Sequence, residues 1–230
     1  MLFCGPDSGV MEVDRSMETF KNSEGGAVLL KMVKGIQENK QYLGDVDGLI
    51  GDGDHGMNMN KGFSLFEKRF VNQEFSFSDG LDGLAMILLN EIGGSMGPIY
   101  GTILMCMAEA IEQSGQDEIS LSDFAAYLDA GRTGLYEIVD ARIGDKTLVD
   151  ALSPAVDALR QADGKRESFA AALDEMKKAA VRGRDSTKEL IAKFGRSSRL
   201  GERSRGVLDA GACSCCIILT AMADGILELL

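Results

Sequence analysis

From Gly26 onward the apolar residues of this chain recur at helical spacing, three and four apart, with no sustained alternation of the kind a strand requires. Leu29, Met32, Val33 and Ile36 form the first stripe. A second helix is expected from about Asp54 to Val71, with Asp54 at its cap, where a carboxylate suits the free N–H groups. Leu81, Leu84, Ala85, Leu88, Leu89 and Ile92 give an uninterrupted stripe that stops at Gly93-Gly94-Ser95-Met96-Gly97-Pro98. The next helix is expected from about Pro98, at its first position, to Glu112. Leu121, Phe124, Leu128, Leu135 and Ile138 mark a fifth, and Leu148, Leu152, Ala155, Val156 and Leu159 a sixth. Phe169, Ala172, Leu173, Met176 and Ala180 begin a seventh, expected to reach Phe194, and about 212–229 forms a last helix, apolar on most sides. The pattern predicts an all-α protein of about eight helices. Short connections make sequential neighbours antiparallel, so the helices should form a single bundle or barrel. Residues 1–20 lack any period and read as a loose tail before one domain over 21–230.

Composition narrows the partners. At 230 residues the chain can bury a sizeable core, and a net charge of −12 argues against nucleic acid or an anionic membrane. An anionic ligand would need local cations or a metal. The apolar run near the C-terminus carries Asp224 and Glu228, and the N-terminus lacks the basic-then-apolar pattern of a leader. Five cysteines, an odd number, suit the reducing cytoplasm. Cys213 and Cys216 form a C-x-x-C with no second pair and read as small buried helix residues.

The candidate chemistry is concentrated in 44–63, where Asp45, Asp47, Asp52, Asp54 and the sole histidine, His55, fall among Gly48, Gly51, Gly53 and Gly56. The glycines predict a loop that turns several carboxylates inward. Crowded carboxylates repel unless a cation neutralises them, and a hard cation with oxygen ligands, Mg²⁺ or Ca²⁺, meets that need. A solvated acidic loop is the plainer alternative. An EF-hand does not fit, because Gly56 and Phe63 occupy the fifth and twelfth positions counted from Asp52. Gly51–Gly56 satisfies G-x-G-x-x-G, but its aspartates would face the pyrophosphate it should cradle. Two other stretches bear on phosphate. The Gly93–Pro98 turn opens onto a helix start and is either a tight structural turn or a seat for an anion, and Asp209-Ala210-Gly211 opens a second candidate seat. Residues 193–205 carry five cations against one acid, either a solvated basic loop or a set of forks for phosphate oxygens. No P-loop is present, so phosphates would be held mainly through metal.

Four ordered motifs resemble those of DhaL, the nucleotide-binding subunit of bacterial dihydroxyacetone kinase. They are Ile50–Phe63, Gly93–Thr102, Gly144-Asp145-Lys146-Thr147 and Gly195–Ser204. The resemblance implies an eight-helix antiparallel barrel with ADP or ATP and two Mg²⁺ at one end. It implies Asp47, Asp52 and Asp54 as metal ligands. It places His55, Gly56, Met57 and Asn58 at the phosphates, Ser95 and Met96 beside them, and Leu148 at the adenine. Arg196, as the catalytic cation, and Asp209, Ala210 and Gly211 would close the pocket. Met96, Ala210 and Val139 stand where the family has serine, proline and glycine. The family's acceptor, a short hydroxyketone, is held covalently by a histidine of a separate dihydroxyacetone-binding subunit. The motif Asp54-His55-Gly56 is more like the phosphotransferase-linked type, in which a phosphohistidine carrier recharges bound ADP. An ATP-dependent two-subunit kinase for a related triose or tetrose, and a non-catalytic nucleotide- or metal-sensing module, are the alternatives.

Overall fold

The computed structural model describes residues 18–230 and places nine α-helices among them. In chain order they are α1 (Gly26–Glu38), α2 (Lys40–Ile50), α3 (His55–Phe70), α4 (Phe77–Glu91), α5 (Met96–Ser114), α6 (Leu121–Ile138), α7 (Val149–Gly164), α8 (Phe169–Ser186) and α9 (Ala210–Leu227). Packing runs around a ring: α3 on α4, α4 on α5, and so on to α8 on α9, with α9 closing on α1 and α1 on α3. Eight helices thus make the closed wall, and the short α2 lies against α3 and α9. The core is the lumen of this barrel. Phe63, Phe66, Leu81, Leu84, Leu88, Met107, Phe124, Leu152 and Met176 are fully or almost fully buried within it. Helix α9, long and apolar enough to span a membrane by composition, is largely buried against α1, α7 and α8, which accounts for its apolar faces.

Local signals set the helix starts. Ser76 with Asp79, and Ser120 with Asp123, are reciprocal capping boxes at α4 and α6. Ser168 and Asp209 accept from Ala171 N–H and Ala212 N–H at α8 and α9. Each such cap contributes about 1 kcal/mol.

Sequence expectations and structure part company in four places. The stretch expected as one acidic loop contains a helix, α2, so Asp45 and Asp47 are helical and the loop is only residues 51–54. Helix α8 ends at Ser186 rather than Phe194, followed by a short 3₁₀ turn at Thr187–Glu189. Pro98 is the third helical residue of α5, not the first, still within the turn whose N–H groups need no intrahelical partner. Two strands, β1 (Thr19–Lys21) and β2 (Glu118–Ser120), pair antiparallel with Phe20 opposite Ile119. Most of the expected tail lies outside the described residues, but residues 18–20 do not belong to it. Phe20 is buried against Phe77 and Phe169, with ring centroids 5.6 and 6.2 Å away, at the end of the barrel where α4 and α8 begin. The connections α2–α3, α4–α5, α6–α7 and α8–α9 all emerge at the opposite end.

Candidate functional site

Those four connections surround a cleft of about 610 Å³. The α2–α3 side supplies Asp47, Gly51, Asp52, Asp54, His55 and Asn58. The α4–α5 side supplies Gly93, Gly94, Ser95, Met96, Ile99 and Tyr100. Lys146, Thr147 and Leu148 come from α6–α7, and Phe194–Ser197 with Asp209–Gly211 from α8–α9.

The acidic cluster is built by close approach. Ligand oxygens of Asp47, Asp52 and Asp54 lie within 4.8 Å of one another. Asp47 projects from the last turn of α2. Gly51 makes room for it, since a Cβ there would come within 2.3 Å of Asp47 Oδ1. Gly53, at φ +76°, then turns the chain so that Asp52 and Asp54 rejoin Asp47. Asp45 is not part of the cluster; it is exposed and accepts a hydrogen bond from Gln41 at 2.8 Å. Three oxygen-donor carboxylates at this spacing fit a hard divalent cation and give no support to a softer metal. Arg196 reaches in from the α8–α9 segment and pairs with Asp52.

His55, the first residue of α3, is buried, and that burial pushes its imidazole down to about 4 against the pull of the Asp47 carboxylate. It is therefore neutral at physiological pH. Its Nε2 lies 2.8 Å from Ser214 Oγ. Asp209 caps α9, accepting from Ala212 N–H at 2.7 Å. Enclosure in protein pushes its carboxyl up to about 7, with Lys146 pulling the other way. Lys146, in the Gly144–Thr147 motif, has no role that its sequence context predicts. It is almost fully buried, has φ of +61°, and donates to Thr187 O and Val207 O. It thereby ties the Gly144–Thr147 turn to both ends of the basic segment. Asp150 holds the same turn by accepting from Gly144 N–H at 2.5 Å and Thr147 N–H at 2.7 Å.

Of the expected site residues, Asp47, Asp52, Asp54, His55, Asn58, Ser95, Met96, Leu148, Arg196, Asp209, Ala210 and Gly211 line the one cleft. Gly56 and Met57 do not. Met57 is exposed on the outer face of α3. Gly56 is a packing residue: a Cβ there would sit 2.0 Å from Lys40 O and 2.7 Å from Gly44 N. Gly56→Ala should accordingly lower stability by about 1–3 kcal/mol through overpacking of backbone on backbone. A thermal melt showing a drop of several degrees in Tm checks this, and an unchanged melt would contradict it. The basic segment also resolves into parts. Residues 196–204 form two 3₁₀ turns broken at Gly201, and only Arg196 among the five cations faces the cleft. Lys193 pairs with Asp145, and Arg205 with Glu202 and Glu189 O.

Comparison with known proteins adds to this geometry. A family model described as the DAK2 domain matches residues 49–224. The ADP-binding subunit DhaL of a PEP-dependent dihydroxyacetone kinase from Listeria innocua is 37% identical over 81% of this chain and 88% of its own length. Its counterpart in Escherichia coli is 35% identical over 80% and 87%. The ADP-binding subunit of a PTS-dependent dihydroxyacetone kinase from Lactococcus lactis is 34% identical over 82% and 90%. The crystal structure of the dihydroxyacetone kinase from C. freundii in complex with AMP-PNP and Mg²⁺ matches with a TM-score of 0.68 over 97% of this chain. At 19% identity that likeness concerns the fold, and this chain spans 37% of that one.

Proposed function

The chain belongs to the DAK2-domain family, and from that premise we propose that it is the Mg²⁺–nucleotide subunit of a dihydroxyacetone kinase, a phosphotransferase that works with a separate substrate-binding subunit in the cytoplasm. The observation that carries this reading is the meeting of three carboxylates, within 4.8 Å, with the N-terminal ends of α5 and α9 in one cleft. Carboxylates alone would repel phosphates, and helix N-termini alone would attract them. The two together suit a metal–nucleotide complex. Asp47, Asp52 and Asp54 would hold Mg²⁺, and the family resemblance leads us to propose two ions. Bound there, Mg²⁺ would bridge carboxylates to phosphate oxygens and neutralise charge on the transferred group. The backbone N–H groups at Gly94–Met96 and Ala210–Gly211 would seat the remaining phosphate oxygens. Leu148 and Ile99 would supply apolar surface for a base, and Arg196 would supply a cation. The relatives named PEP- or PTS-dependent support a phosphohistidine carrier as the donor that recharges bound ADP.

Asp52→Asn tests the metal assignment. It removes a charge at nearly constant shape in a half-exposed loop, so the fold should survive. Affinity for Mg–ADP by calorimetry should fall at least about ten- to a hundredfold, the range lost when even outer-shell partners of a metal are removed. ADP binding in excess chelator should be weak in both proteins. Equal Mg–ADP affinity in wild type and variant would return the cluster to a solvated acidic loop.

A further inference from the structure

The cleft's three helix starts are joined behind its surface by a buried hydroxyl. Ser214, one turn into α9, is fully buried among the alanines and cysteines that begin the helix. Its Oγ lies 2.8 Å from His55 Nε2 at the start of α3 and 2.7 Å from Tyr100 Oη in the second turn of α5. It also lies 3.1 Å from the carbonyls of Ala210 and Gly211, and Tyr100 Oη is 3.0 Å from Gly211 O. Resting on the reading above, we infer that Ser214, backed by Tyr100, is the positioning residue of the phosphate end: it locks the starts of α3, α5 and α9 together and fixes the ring orientation of His55.

Proton counting supports this. Tyr100 is fully enclosed, which holds its phenol well above the ordinary value, so it is a standing donor. It can donate to Ser214 Oγ or Gly211 O. The Ser214 hydroxyl donates to the carbonyls of Ala210 and Gly211, which accept it on lone pairs the helix ladder leaves free. Its oxygen then faces His55 Nε2 and Tyr100 Oη together, so one buried oxygen joins three helices. The result is a ring held at one nitrogen by a hydroxyl that is itself fixed from α5 and α9.

Because His55 is the only histidine, its two ring nitrogens are unambiguous in ¹⁵N NMR of the labelled chain. Ser214→Ala should shift the Nε2 resonance, which loses its hydrogen bond, and bind Mg–ADP about tenfold more weakly, the cost of one buried hydrogen bond. Tyr100→Phe should keep the Nε2 resonance at its wild-type position and weaken binding by a smaller factor. A Ser214→Ala protein with the wild-type ring spectrum and wild-type affinity would overturn the inference. If that variant does not fold, Tyr100→Phe decides: full Mg–ADP affinity counts against the lock, and a reduced one with the Nε2 resonance kept supports it. The ring measurement needs no nucleotide, so a wild-type chain that ignores Mg–ADP sinks the functional reading while the spectrum still judges the lock.

Discussion

Arg196→Ala is expected to lower the rate of phosphate transfer by about 10²–10⁵-fold, the range associated with arginines that neutralise a transferring phosphoryl group. Of the five cations in residues 193–205, it alone lines the cleft. It is also exposed, on a segment hinged at glycines with positive φ, Gly195 and Gly201. Its guanidinium reaches Asp52. A side chain there lies within reach of the phosphates of a nucleotide whose metal Asp52 would hold. Its contribution should therefore be greater in the transition state than in the ground state. Mg–ADP affinity should change little while kcat collapses. Arg196→Lys should recover only part of the rate, because a point charge replaces a planar fork. A variant with nearly wild-type kcat in the complete enzyme would make Arg196 a surface cation.

How much of this was legible in the chain depends on the range of the forces involved. The helical stripes report burial, which has a period, so the wall of the barrel could be read from residues such as Leu81, Leu84 and Leu88. Helix α2 was not read as a helix, because Gly44 and Gly48 resemble loop punctuation. In the structure they lie one turn apart on the face over which Gly53 passes, close enough that a Cβ on Gly44 would sit 3.4 Å from Gly53 O. They let residues 51–54 lie flat on a helix, and composition does not distinguish that from flexibility. Gly56 sits in the same motif, and its missing side chain serves α2 packing. The cluster of Asp47, Asp52 and Asp54 was legible because its members are near in sequence and share one chemistry. The Ser214–His55–Tyr100 lock was not. Its members are separated by 45 to 159 positions, and the only local sign was a hydroxyl among Ala and Cys on an apolar helix. Lys146 was not legible either: a lysine beside a glycine turn in a sequence this acidic has many surface partners available, yet it is turned inward to donate to the carbonyls of Thr187 and Val207.

The isolated chain is expected to transfer almost no phosphate to dihydroxyacetone, however well it binds nucleotide. Its only histidine is buried, neutral and held at Nε2 by Ser214, so it cannot capture a substrate carbonyl. The cleft gathers the Asp47, Asp52 and Asp54 carboxylates, the starts of α5 and α9 and Arg196, groups suited to metal and phosphate. Phosphate transfer depends mostly on positioning and charge stabilisation, and an unanchored acceptor forfeits effective molarities that reach about 10⁵–10⁸ M. The cleft also opens at the end of the barrel, where a partner carrying the acceptor could seal it from water. The experiment mixes purified chain, Mg²⁺, ATP and dihydroxyacetone, then adds the substrate-binding subunit and, separately, a phosphohistidine carrier. Turnover only with both additions is the expected result and assigns recharging of bound ADP. Turnover with the substrate subunit and ATP alone would make this an ATP-dependent kinase with the same division of labour. Efficient turnover by the chain on its own would mean that an acceptor site exists within residues 1–230 and that the two-subunit reading is wrong.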